Sequence, residues 1–121
     1  MTYRANEDAI ARHCLVKLLS DGFSVAITGT SDRPIGISTD EAAPGEILDI
    51  ALLCSSDTLS ARTSAPIQAG DILVPSDEGC VQKLPTTEGS YWQIGIALHS
   101  AANASLVELM PCVPTLYTVT E

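Results

Sequence analysis

Ile35-Gly36-Ile37-Ser38-Thr39-Asp40-Glu41-Ala42-Ala43-Pro44-Gly45-Glu46-Ile47-Leu48-Asp49-Ile50 is written a second time, 59 residues on, as Ile94-Gly95-Ile96-Ala97-Leu98-His99-Ser100-Ala101-Ala102-Asn103-Ala104-Ser105-Leu106-Val107-Glu108-Leu109. The two copies align without a gap. The Ile-Gly-Ile and Ala-Ala positions are identical, and Ile47/Leu106, Leu48/Val107, Asp49/Glu108 and Ile50/Leu109 are close exchanges. Each copy reads as a short strand with a central glycine, a turn of small residues and a second strand. Glycine inside a strand marks a bend or a close approach of another backbone.

A hairpin precedes each copy. Ser20-Asp21-Gly22 separates the apolar run Arg12 to Leu18 from Phe23 to Thr28. Ser76-Asp77-Glu78-Gly79 separates Ile72-Leu73-Val74-Pro75 from Cys80-Val81-Gln82-Lys83-Leu84. Asp-Gly between apolar runs is a hairpin signal. Ile10, Cys14, Leu15, Leu18 and Leu19 also fit a helical stripe capped by Asn6, but the shared plan of the second half favours strands. Two pseudo-equivalent β halves closing on one core are expected.

Pro44-Gly45 launches Glu46 to Cys54, the most apolar run, which belongs in a core or a subunit interface. Thr58 to Thr63 reads as an exposed strand, Tyr91 to His99 as the second repeat strand and Ser105 to Met110 as the last core strand. Pro111 and Pro114 are expected to end regular pairing. The fold class is therefore all-β: a small β-barrel or β-sandwich of about nine short strands with an extended N-terminal arm. The expected organisation is an arm over residues 1–10, a barrel or sandwich over 11–114 and a C-terminal tail over 115–121. The first ten residues read either as an arm that orders on a partner, with Tyr3 and Arg4 as its adhesive members, or as a frayed terminus.

A chain of 121 residues buries roughly two-thirds of its unfolded surface, enough for one core. It is 45% hydrophobic but only 4% aromatic, so small aliphatic side chains must fill that core, and oligomerisation would add burial. Fifteen acids against six bases give a net charge of −9, which repels a phosphate backbone and an anionic membrane. No direct nucleic-acid contact and no membrane contact are expected. No stretch approaches the roughly 20 apolar residues of a membrane span, and the N-terminus lacks a signal-peptide pattern.

Catalytic and cofactor equipment is sparse. His13 and His99 are the two histidines, and no Gly-x-Ser-x-Gly elbow, phosphate loop or His-Glu-x-x-His accompanies them. Cys14, Cys54, Cys80 and Cys112 lack the close pair of a zinc site and read as small buried thiols. Asp40, Glu41, Glu46 and Asp49 do not match a calcium loop and read as a solvated turn. Asp32 with Arg33 and Asp71 with Lys83 are candidate cross-strand pairs. Gly70-Asp71-Ile72-Leu73 faintly resembles the opening of biotinyl and lipoyl carrier domains, but the following turn carries no lysine. The expectation is no enzyme, no cofactor and no metal.

Six segments in order carry a family resemblance. They are Arg12-His13-Cys14-Leu15-Val16-Lys17, Pro34 to Glu46, Ile67-Gln68-Ala69-Gly70-Asp71-Ile72-Leu73-Val74, Glu78-Gly79-Cys80-Val81-Gln82, Tyr91 to Leu98 and Glu108-Leu109-Met110-Pro111-Cys112. Over residues 10 to 114 the set resembles the capsid decoration, or cement, proteins of tailed bacteriophages. The resemblance implies a structural protein on the outer capsid surface of the virion, bound to the major capsid protein, commonly a homotrimer, that stabilises the expanded head. It also implies an N-terminal arm on the shell, which makes Thr2, Tyr3, Arg4 and Arg12 the candidate capsid contacts. Many members place a glycine before the last strand where this chain has Asn103-Ala104-Ser105. The alternative reading is a β-barrel module on a virion for carbohydrate or another surface ligand.

Overall fold

A computed structural model describes residues 1–120. Ten strands make it up: β1 (Thr2–Ala5), β2 (Leu15–Leu18), β3 (Ser24–Ile27), β4 (Gly36–Ser38), β5 (Ile47–Leu52), β6 (Leu59–Arg62), β7 (Ile72–Pro75), β8 (Val81–Lys83), β9 (Gly89–Ala97) and β10 (Leu106–Val119). One 3-10 turn, Asp77–Gly79, joins β7 to β8. The first five strands close into a barrel in the order β1-β3-β2-β4-β5; the last five form a sheet in the order β6-β10-β9-β7-β8. The all-β expectation holds, and so does the strand reading of residues 12–28.

The second half repeats the pairings of the first. Val16 lies opposite Gly36 on β2–β4, and Leu73 lies opposite Gly95 on β7–β9. Tyr3 opposes Leu48 and Arg4 opposes Ile47; Ala61 opposes Val107 and Arg62 opposes Leu106. Ile10 and Ala42 exchange two backbone bonds of 2.9 Å, and Ile67 and Ala101 do the same. The repeat is thus a repeat of hydrogen bonds, and reaches beyond the sixteen residues visible in sequence.

The backbone keeps this plan even where the side chains differ. Gly45 donates to the carbonyl of Ala5 at φ 81°, and Ala104 donates to the carbonyl of Thr63 at φ 55°. The turn at Asn103-Ala104-Ser105 therefore forms without the glycine many members of the resembled family have there, with an alanine in the left-handed region. His13 (φ 67°) and Gly70 (φ 89°) are matched in the same way: their N–H groups donate to Ser38 and Ala97.

Burial divides into two clusters, where one core was expected. Ala5, Ile10, Cys14, Val16, Val25, Ala42, Leu48 and Ile50 fill the barrel. Leu73, Val81, Ile94, Val107 and Leu109 fill the second half, joined by Leu15, Ile37 and Leu53 from the first. Adjacent residues such as Leu15 and Val16 point to opposite faces of β2. β2 thus serves the barrel with one face and the neighbour with the other, whereas in the Glu46–Cys54 run only Leu53 joins the second cluster and Ile47 and Asp49 stay exposed. Gly79 marks the contact: a Cβ there would lie 2.9 Å from Ile27 Cγ2 and 3.0 Å from Cys14 Cβ.

Two expectations about the flanks change. The segment 1–10 is extended, but Thr2–Ala5 is a barrel strand between β3 and β5. Each end of a five-stranded barrel needs a partner for its last ladder, and β1 supplies it, leaving no free edge. At the other end, Pro111 and Pro114 do not stop pairing. Pro111 keeps its place opposite Gly95, a bulge between Pro111 and Thr115 takes up Pro114, and Thr115–Val119 pair with Gln93–Gly89. Proline is tolerated at such an irregularity because the ladder there demands no N–H. The final residue of the expected tail, Glu121, lies outside the described residues. β6 is also less exposed than expected, since Ala61 and Thr63 are buried.

Candidate functional site

Alternation along β1 sets up the first surface. Ala5 points into the barrel, Tyr3 packs at the edge of the core, and Thr2 and Arg4 point outward. On that outer side Arg4 is flanked by Ile47 of β5 and Ser24 of β3. Its guanidinium donates to Gly45 O at 2.6 Å, and its N–H bonds Phe23 O at 2.8 Å. Phe23 and Ile47 are 69% and 62% exposed, well above what a core side chain shows. Thr2, Tyr3, Arg4, Phe23 and Ile47 line a shallow depression of about 270 Å³. Arg4 is its one charged lining group.

Three of the four sequence-derived candidates are therefore brought together. Arg12 is not. It lies on the β1–β2 connection, 3.9 Å from Asp40, and its carbonyl accepts from Arg62 Nε at 2.9 Å. Phe23 and Ile47 were missed because they join the patch from distant strands; Phe23 directly after Asp21-Gly22 was the available signal.

A second surface is the far end of the β9–β10 pair. β7 meets β9 at Ile96 and Gly95, and β6 meets β10 over Leu106–Leu109. Beyond those points Gly89–Gln93 and Thr115–Val119 run on as a two-stranded ribbon. Val113, Leu116 and Tyr117 are exposed on it. Arg33 of the first half stacks 5.4 Å from the Trp92 ring centroid and ties the ribbon's base to the barrel. Arg33 is thus not the partner of Asp32, which pairs with Lys17 at 3.0 Å.

Polar and titratable groups serve turns. Asp71 accepts from Gln68 N–H at 2.8 Å instead of meeting Lys83, and Glu46 accepts from Ala43 N–H at 2.7 Å. Asp21 is held below the usual carboxylate range by the Ser24 hydroxyl and then the N–H groups of Phe23 and Ser24. Asp32 is held down by Gly29 N–H and then Lys17. Desolvation pushes the thiols of Cys14, Cys80 and Cys112 up; against the expectation of four buried thiols, only Cys14 is buried, Cys80 and Cys112 are half-buried and Cys54 is exposed.

His99 Nε2 accepts from Glu108 N–H at 3.1 Å, and Nδ1 sits 2.9 Å from Ser100 O. One neutral tautomer satisfies both contacts, so this ring braces its turn. An open groove of about 840 Å³ is rimmed by Asp8, Glu41, Glu46 and Glu78. Among the described residues no group of three or more His, Cys, Asp or Glu is arranged to hold a metal, and no helix is long and apolar enough to cross a membrane.

The sequence matches no family model, and no curated protein matches it in sequence. The fold has a solved counterpart. The crystal structure of the head fiber gp8.5 N base of bacteriophage phi29 is similar with a TM-score of 0.71 at 17% identity, covering 97% of this chain and 96% of that one. At that identity the likeness is one of fold, and it spans both halves.

Proposed function

We propose that this chain is a structural protein of a tailed-phage head, a decoration protein that binds the major capsid protein on the outer face of the expanded shell and stabilises it. The observation that carries this reading is the fold shared end to end with a head fiber base. The ordered segments that resemble cement proteins support it from the sequence side. In this reading the chain works as a trimer and without chemistry of its own. Its outward polar groups are occupied with turns and its depressions are shallow, as suits a protein that acts through surfaces.

The depression at Thr2, Tyr3, Arg4, Phe23 and Ile47 is the face offered to the shell. It combines exposed apolar groups with an arginine on an otherwise acidic chain, the mix enriched at interface centres. Co-sedimentation with expanded and unexpanded heads lacking the protein tests the reading. Saturable binding to expanded heads, abolished by Phe23→Asp or Ile47→Asp, is the expected result. Absence of binding to either form overturns it.

A further inference from the structure

We propose that the β9–β10 ribbon is the surface through which copies of this chain associate, ribbon against ribbon. The inference rests on the self-association part of the proposed function and not on shell binding.

Three observations converge on the ribbon. First, it is an addition to the repeat. Its counterpart β4 begins only at Gly36 and β5 ends at Leu52, whereas β9 begins at Gly89, six residues before Gly95, and β10 runs on to Val119. The duplication accounts for the rest of the second half and leaves this piece to be explained.

Second, it is under-supported as a free element. A lone two-stranded ribbon is marginal in water, and among the described residues Thr115–Val119 pair with β9 alone. That leaves strand edges open, and none of Thr115–Val119 is a charged or proline residue of the kind that usually guards an edge. Each face carries an aromatic group beside uncharged polar ones. Leu116 pairs with Trp92 on one face, and Tyr117 with Tyr91 on the other.

Third, its charge selects the partner. The chain carries −9, yet Gly89 to Leu98 and Leu109 to Thr120 contain no Asp, Glu, Lys or Arg. Two copies approaching through their acidic faces repel. Approaching through the ribbons they bring together only the Arg33 guanidinium stacked on Trp92, no acidic group, and bury aromatic and aliphatic side chains. A basic partner would be drawn to the acidic faces instead, so a neutral surface on an acidic chain favours a second copy.

Light scattering after size exclusion, over a concentration series, is the test. The wild type is expected to associate. Leu116→Glu and Tyr117→Glu place one carboxylate on each face, and burying it without a partner is expected to weaken association about a hundredfold or more in at least one of the two. Ile47→Glu, on the shell-facing depression, is expected to associate as wild type. Hydrogen exchange at residues 113–119 should slow as concentration rises, a readout that does not depend on any variant folding. A chain that stays monomeric throughout, or that associates unchanged with both glutamates, or whose exchange at 113–119 is insensitive to concentration, overturns the proposal. Shell binding is untouched by all of these outcomes, since it reads the other face.

Discussion

Gly36 and Gly95 are held by the same contact in the two halves. A Cβ on Gly36 would fall 2.5 Å from the carbonyl oxygen of Ala51 and 2.6 Å from Ile50 Cγ2. On Gly95 it would strike the carbonyl of Met110 and lie 2.7 Å from Leu109 Cδ1. In both copies the obstacle is the backbone of the strand that the repeat itself supplies. Gly36→Ala and Gly95→Ala are therefore each expected to cost about 3 kcal/mol, the upper part of the range for overpacking, because a carbonyl cannot swing aside. Gly22→Ala is the control: φ is 83° but nothing lies within 4 Å, so the cost should be about 1 kcal/mol. Urea denaturation of the three variants measures the difference.

Ala104 takes a left-handed conformation that its counterpart Gly45 adopts freely. Ala104→Gly removes that strain but loosens the unfolded chain, for a net gain of about 0.5 kcal/mol. Gly45→Ala should lose about 1 kcal/mol, since it meets the strain with no contact to offset it. Opposite signs for the two exchanges in thermal unfolding would confirm that the turns are equivalent.

Acid should weaken the fold through Asp21 and Asp32. Both carboxyls are lowered in the native state, by Ser24 and Gly29 first. The native state therefore binds fewer protons than the unfolded chain. Their contribution is full above the unfolded value, near 4, and is lost as pH falls through the native value. The denaturation midpoint should decline below about pH 4, and Asp21→Asn should flatten that decline. Cys14 acts at the other end. Its thiol is raised from 9.0 by burial, so its contribution is full below the unfolded value and lost as pH rises through the native one. Cys14→Ala should flatten the alkaline limb.

Trp92 is the chain's one tryptophan, and Arg33 stacks on it. Arg33→Ala should shift its emission and cost about 0.5–1 kcal/mol, the scale of a partly exposed cation–π contact. Unchanged fluorescence would show that the ribbon's base is not tied to the barrel at this point.

The fold was legible where local chemistry decides it. Ile-Gly-Ile, Asp21-Gly22 and Pro44-Gly45 each specify a strand or turn within a few residues. β1 was not legible, because one of its four residues is buried and both its partners come from far along the chain. Pro111 and Pro114 misled for a related reason: a proline forbids one hydrogen bond, and a bulge removes the need for that bond without ending the strand. Of the site, Tyr3 and Arg4 could be named from side-chain character, and Thr2 from the family resemblance. Phe23 and Ile47 join them only once three strands are laid side by side. The ribbon's lack of charge was visible in the sequence, but without its pairing it read as a tail.

Thr63 and Val81 form a single parallel bridge where Ala5 and Val25 belong to the ladder that seals the barrel. Ser64 N–H reaches Val81 O as Asn6 N–H reaches Val25 O, but Arg62 N–H turns away to His13 O in the other half, and Gly79 N–H goes to Thr28 O. The second copy has in effect left its own door ajar and let its neighbour's loop serve as the bolt. Cut in the β5–β6 connection, the first half would keep its closed ladder, whereas the second would lose the His13 and Thr28 carbonyls that its Arg62 and Gly79 N–H groups use.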